Sequence, residues 1–248
     1  MLNQIGKWKI FALETGEFRL DGGAMMGSVP KVLWEKSNPA DELNRIDLSL
    51  RCLLLDDGEN RVLIESGMGD KLTSKFAKMF HVLQPDHPLK ERLGEIGYKM
   101  EDITHMILTH LHFDHAGGAT IIDENNNFIP AFPNAVYYVS DSNWDAGMNP
   151  SPRDSASYLD INYAPLQKAG KLEISEDYHT FNPLKLVELI HEKGEFGVWT
   201  FLSSLPMEEL NYELILLLDA VRSAIRYSST RNDWFMDKVI NSQVKTEC

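Results

Sequence analysis

Thr109-His110-Leu111-His112-Phe113-Asp114-His115-Ala116-Gly117-Gly118 places four metal-ligating side chains within six residues. The stretch follows an apolar run, Ile103 to Leu108, and ends on paired glycines. His110 and His112 are two apart, so on an extended backbone they point to the same face. Asp114 and His115 fall where the chain has to turn, so they reach the same point from another direction. Imidazole and carboxylate together suit zinc or a similar divalent ion. Gly117 and Gly118 allow tight approach as a helix begins. His81, His87 and His105 are isolated and read as packing or surface histidines.

Working outward, Leu48–Leu55 and Arg61–Glu65 read as two strands around the turn Asp56-Asp57-Gly58-Glu59-Asn60. Trp8 to Leu13 reads as a first strand, and Gly16 to Val29 as a loop. Lys71 to Val82 reads as helical, and Leu89 to Ile96 as a second helix ended by Gly97. Downstream, a turn at Glu124 to Asn127 precedes a strand from Phe132 to Val139. Trp144 to Tyr158 reads as a loop running into a helix, where Ser151-Pro152-Arg153-Asp154 has the chemistry of a helix start. That helix ends over Leu166 to Gly170, and Lys171 to Ile174 is a short strand.

The 248 residues suit a single domain, 1–248, with a substantial core. Hydrophobic residues at 43% and charged residues at 25% describe an ordinary soluble globular chain. A net charge of −13 with no basic run argues against nucleic acid as a partner. Cys52 and Cys248 do not make a disulfide framework, so a reducing cytoplasm is expected. No leader-like h-region or membrane-length apolar stretch is present, so no membrane partner is expected.

The THLHFDHAGG stretch closely resembles the metal motif of the metallo-β-lactamase superfamily. Phe18 to Gly27 with Pro30 to Trp34 resembles the N-terminal region of its lactonase-like members, where such a loop overhangs the metal site. Plain packing is the other reading of that loop. Glu65-Ser66-Gly67 stands where the superfamily commonly has aspartate-threonine-glycine. Glu65 reaches one methylene further and reads as a group that hydrogen-bonds a ligand histidine, against a solvent-facing carboxylate. The resemblance implies an α/β (α+β) fold, a four-layer αββα sandwich of two similar halves with metal ligands along one edge. It matches well over 1–175. Over 176–248 the chain diverges, so the second half is expected to be incomplete or altered. The chain is either a truncated or frame-disrupted member or a true variant.

The family's third ligand histidine has no equivalent. In Leu189 to Val198 the residue after Gly194 is Glu195, with His191 as a nearby replacement. The family's bridging aspartate could be Asp219, at the end of Tyr212 to Leu218. A helix competes there: Met207, Leu210, Leu214, Leu217, Leu218, Val221 and Ile225 recur at steps of three and four. No histidine follows His191.

The resemblance implies one or two zinc ions, with iron or manganese as other choices. His110 and His112 would help hold one metal, and Asp114 and His115 a second. Metal-activated hydroxide would attack a lactone or related ester carbonyl, with Asp114 as general acid. The expected partner is thus a small-molecule lactone or ester. Two other readings stand beside this hydrolase. One is a catalytically impaired homologue with a partial metal site, and the other an iron-dependent oxidoreductase of the same fold. A half-sandwich would also expose an apolar sheet face and favour a homodimer.

Overall fold

The computed structural model describes residues 4–5, 8–152 and 154–175. Its strands are β1 (Gln4–Ile5), β2 (Trp8–Asp21), β3 (Arg45–Asp56), β4 (Arg61–Ile64), β5 (His105–Ile107), β6 (Thr120–Ile122), β7 (Phe128–Pro130), β8 (Val136–Ser140) and β9 (Leu172–Ser175). Among the described residues, seven strands form one sheet in the order β1-β2-β3-β4-β5-β8-β9, and β6 pairs with β7 alone. The first four strands are antiparallel neighbours, while β4, β5, β8 and β9 run parallel. The parallel pairs join segments far apart in sequence, as crossover connections require.

The loop expected over Gly16–Val29 is a strand as far as Asp21. β2 pairs with β3 along its whole length, with a register shift between Glu14 and Gly16. Gly16 serves close approach there rather than a turn. A Cβ on it would stand 2.6 Å from Gln84 Cβ and 2.8 Å from Leu83 O. Without that Cβ, Leu83 and Glu17 exchange both backbone hydrogen bonds at 2.8 Å. Asp21 then caps α1 (Gly22–Met26) by accepting from Ala24 N at 2.8 Å, and α2 (Lys31–Trp34) follows.

The helix expected over 71–82 is confined to α3 (Ser74–Met79), capped by Thr73. The next, α4 (Pro88–Glu95), begins on a proline whose fixed φ suits the first helical position, and Gly97 follows at φ 85°. Strand β8 starts four residues later than expected, at Val136. The glycines of the metal motif do not open a helix. They follow α5 (Phe113–Ala116), and Gly117–Ala119 form a 3-10 turn.

The helix placed downstream of Trp144 in fact spans Asp141–Met148 (α6). Its start signal is local: Ser140 Oγ accepts from Asn143 N, and Asp141 occupies the first turn. Ser155–Ser157 make a single 3-10 turn, and α7 (Ala164–Lys168) comes before Gly170. Glu195, Asp219, His191 and the helix read over 204–225 lie outside the described residues.

One face of the sheet carries the main core. Cys52, Leu54, Leu63, Met106, Tyr137 and Val139 point into it and meet Leu89 and Leu93 of α4 and Leu166 of α7. The alternate residues Leu53, Leu55, Val62, Ile64 and Ile107 are buried as well, so neither face of the central strands is bare. Burial pushes the Cys52 thiol well up, which leaves it an unreactive packing residue.

Tyr137 ties the β6–β7 hairpin to this core. Its hydroxyl accepts from Phe132 N at 2.8 Å and donates to Ala119 O at 3.2 Å, with no exposure of the residue. Tyr137→Phe strands the Phe132 N–H, while Ala119 O keeps its bond from Ala131 N at 2.9 Å, and should cost about 1–3 kcal/mol. Thermal unfolding followed by circular dichroism should fall by roughly 3–10 °C.

Candidate metal centre

The carboxyl ends of the central parallel strands bring the polar residues together. In open parallel sheets this edge forms the binding crevice. Glu65 follows β4, Thr109 to His115 follow β5, and Ser140 closes β8. Strand pairing carries on past the strands, with Glu65 N donating to Ile107 O and Leu108 N to Tyr138 O, both at 3.0 Å.

Glu65 does not continue the expected strand. It stands at φ 65°, a left-handed backbone that costs a non-glycine residue about 1–3 kcal/mol. Ser66 holds this turn, because its N–H and its hydroxyl both donate to His115 O at 2.8 Å. The turn aims the Glu65 carboxylate inward at 2% exposure. Oε1 accepts from Thr109 N at 3.0 Å, and Oε2 faces His115 Nδ1 at 3.0 Å.

The floor is made of backbone against backbone. Gly69 packs on Gly117 and Gly118, Gly117 on Met68, and Gly118 on Ser66. Lys71 Nζ donates to Gly117 O and to Thr120 O. From above, Asn143 Nδ2 donates to Thr109 O at 2.8 Å. Phe113 anchors α5 in a second core with Phe76 and Phe80, at centroid distances of 5.0 and 4.9 Å. Met26 packs on the same cluster. The glycine-rich N-terminal segment and Phe113 of the motif therefore share one core cluster.

The histidines form a contiguous group. The ring of His110 lies 4.0 Å from His115 and 4.7 Å from His112. His115 Nε2 faces Asp114 Oδ2 at 3.3 Å. The tightest donor set is Glu65, His110 and His115, whose ligand atoms all lie within 4.8 Å of one another. His112 and Asp114 stand at its margin. The two groupings overlap at His115, and hydrogen-bond geometry separates them. Nδ1 of His115 is engaged by Glu65, so Nε2, beside Asp114, is the nitrogen left for a metal. Among the described residues His81, His87 and His105 stay outside the group. His87 instead pairs with Asp70 at 2.9 Å, and His105 Nδ1 faces Thr104 Oγ1 at 2.7 Å.

The electrostatics suit a cation. Burial drives the His110 imidazole well below its ordinary value, helped by the charges of His115 and His112. Burial likewise lowers His112. Both are therefore neutral at pH 7, the form that ligates. Burial pushes His115 down too, but the charges of Asp114 and Glu65 outweigh it and raise this imidazole well above the ordinary range. Burial pushes the Asp114 carboxyl up, and the charge and hydrogen bond of His115 overcome it, bringing it down to about 2. A protonated imidazole between the buried Glu65 and half-buried Asp114 carboxylates marks where positive charge is favoured, so these residues fit a divalent ion.

Glu65 and the motif were legible in the sequence. Asn143 and Tyr158 were not, since each reaches the motif only through the fold. Tyr158 lies edge-on to His112 at a centroid distance of 4.6 Å.

A family model for the metallo-beta-lactamase superfamily matches residues 48–195. An N-acyl homoserine lactonase of Bacillus cereus is 31% identical over 84 residues, covering 30% of this chain and 34% of that protein. A probable metal-dependent hydrolase from Staphylococcus aureus superposes with a TM-score of 0.64 at 32% identity, covering 73% of this chain and 63% of that one. The structure of AidC, a dizinc quorum-quenching lactonase, superposes with a TM-score of 0.55 at 21% identity, covering 73% and 62%. The matched stretch spans about a third of the length of such curated relatives. The family match and the shared fold, laid over the histidine and carboxylate cluster at the strand ends, place this chain in the metallo-β-lactamase superfamily.

Proposed function

We propose that the chain is a metal-dependent hydrolase of lactones or related esters. The observation that carries this reading is the group of buried Glu65 and His115 with half-buried His110 at the strand ends, with Asp114 against His115 Nε2. The lactonase names of several relatives support the substrate class.

His110, His112, Asp114 and His115 would hold the ion or ions, and Glu65 would orient His115. A bound divalent ion supplies Lewis acidity and brings water ionisation toward neutral pH. Asp114 is ionised, so it first accepts a proton from the attacking water and then returns it to the leaving alkoxide. The neutral rings of His110 and His112 keep their lone pairs for ligation. Zinc is the metal we assign to these nitrogen and oxygen donors, with iron or manganese as the other choices.

The test is elemental analysis of dialysed protein followed by hydrolysis of N-acyl homoserine lactones in a pH-stat. We expect about one or two zinc ions per chain, with turnover lost on chelation and restored by zinc. Metal without turnover of any lactone or ester would remove the substrate class. Iron with oxygen consumption would favour the oxidoreductase. Metal-free, inactive protein would favour an impaired homologue, the reading to which Glu195 in place of the family histidine points.

A further inference from the structure

The three motif imidazoles are held in different ways. Nδ1 of His115 faces Glu65, and Nδ1 of His110 faces Thr109 Oγ1 at 3.1 Å. Among the described residues, neither ring nitrogen of His112 has a hydrogen-bond partner. Its restraint is aromatic instead. The rings of Tyr158 and His112 meet at 4.6 Å and 75°, and those of His110 and His112 at 4.7 Å and 79°. A backbone bridge also ties His112 to Tyr158 in antiparallel fashion. Tyr158 is half-buried against the main core, and Leu159 packs on the cluster that holds Phe113.

A ligating imidazole is ordinarily oriented by a hydrogen bond at its second nitrogen. A ring without one samples several orientations, and ordering it then weakens metal binding. Edge-to-face packing restricts the ring by contact instead. We propose that Tyr158 is a positioning residue of the metal centre, holding the His112 imidazole in its ligating orientation through ring packing and the backbone bridge, not through its hydroxyl. This rests on the reading of His112 as a metal ligand.

The test is titration of the metal-stripped full chain with cobalt(II) alone, followed by visible absorption, which reports ligand geometry directly. Tyr158→Phe should bind cobalt as the wild type does, with the same spectrum. Tyr158→Leu should bind about tenfold more weakly and with altered bands. In a His112→Ala background, Tyr158→Leu should add nothing. Tyr158→Met gives the same comparison should leucine disturb folding. Unchanged binding in the Leu and Met variants would overturn the proposal. So would a Phe variant as weak as Leu, which would assign the role to the hydroxyl. An equal further loss without His112 would reduce Tyr158 to general packing. A wild type that takes up no cobalt would overturn the metal reading itself, and the proposal with it.

Discussion

Gly117→Ala should cost about 4 kcal/mol of folding stability and lower the melting temperature by roughly 8–16 °C. The backbone at Gly117 is ordinary, with φ −59° and ψ −37°, and accepts any residue. Helix propensity alone would favour alanine by about 1 kcal/mol. Space decides the other way. A Cβ would stand 2.5 Å from Met68 C and 2.7 Å from Met68 Cα, overlapping the Met68 carbonyl oxygen. Those atoms are backbone, so no side chain can turn aside. Either the Gly67–Gly69 turn or α5 must move, and the second displaces Asp114 and His115. Gly94→Ala is the control, because it lies within α4 and meets nothing within 4 Å. It should be neutral or stabilising by up to ~1 kcal/mol. Differential scanning calorimetry of both variants decides, and equal melting temperatures would refute the packing argument.

Glu65→Ala should weaken zinc binding by about 10- to 100-fold and destabilise the metal-free protein by about 3 kcal/mol. The carboxylate does two jobs at 2% exposure. It accepts the Thr109 N–H that starts the motif, and it orients His115. Removing it leaves the part-buried Thr109 N–H without its partner and takes away one of the two charges that hold His115 protonated. Relief of the left-handed strain at position 65 does not offset this, since alanine is no better suited to φ 65°. Glu65→Gln should lie between, as its amide oxygen can still accept from Thr109. Isothermal titration with zinc and urea unfolding of the metal-free forms separate the two effects. Wild-type zinc affinity in the alanine variant would remove Glu65 from the metal centre.

What the sequence made legible was what lies close together along it. The ligand cluster, the 56–60 turn and the helix over 88–95 each carry their own signal within a few residues. The misreadings have tertiary causes. Gly16 looks like a loop residue, yet it sits within a strand because Leu83 and Gln84 cross there. Its physical reason is remote in sequence. The start of α6 has a local signal at Ser140 and Asp141, next to which the serine and proline at 151–152 look equally like a helix start but precede only a 3-10 turn. Tyr158 had no signal at all, because edge-on contact with His112 depends on how the 155–157 turn docks.

Glu65 and His115 are separated by 50 positions, and they meet only once β4 lies beside β5. Contacts of this span form late, after the cost of closing a long loop has been met. An unfolded or nascent chain therefore offers a metal only the short histidine segment, without the carboxylate that orients it. Metal capture that relies on an oriented His115 would then follow the pairing of β4 with β5. A bound ion would draw its ligands from the single segment 110–115, which Glu65 grips from the end of β4, so its stabilisation would fall on the folded state.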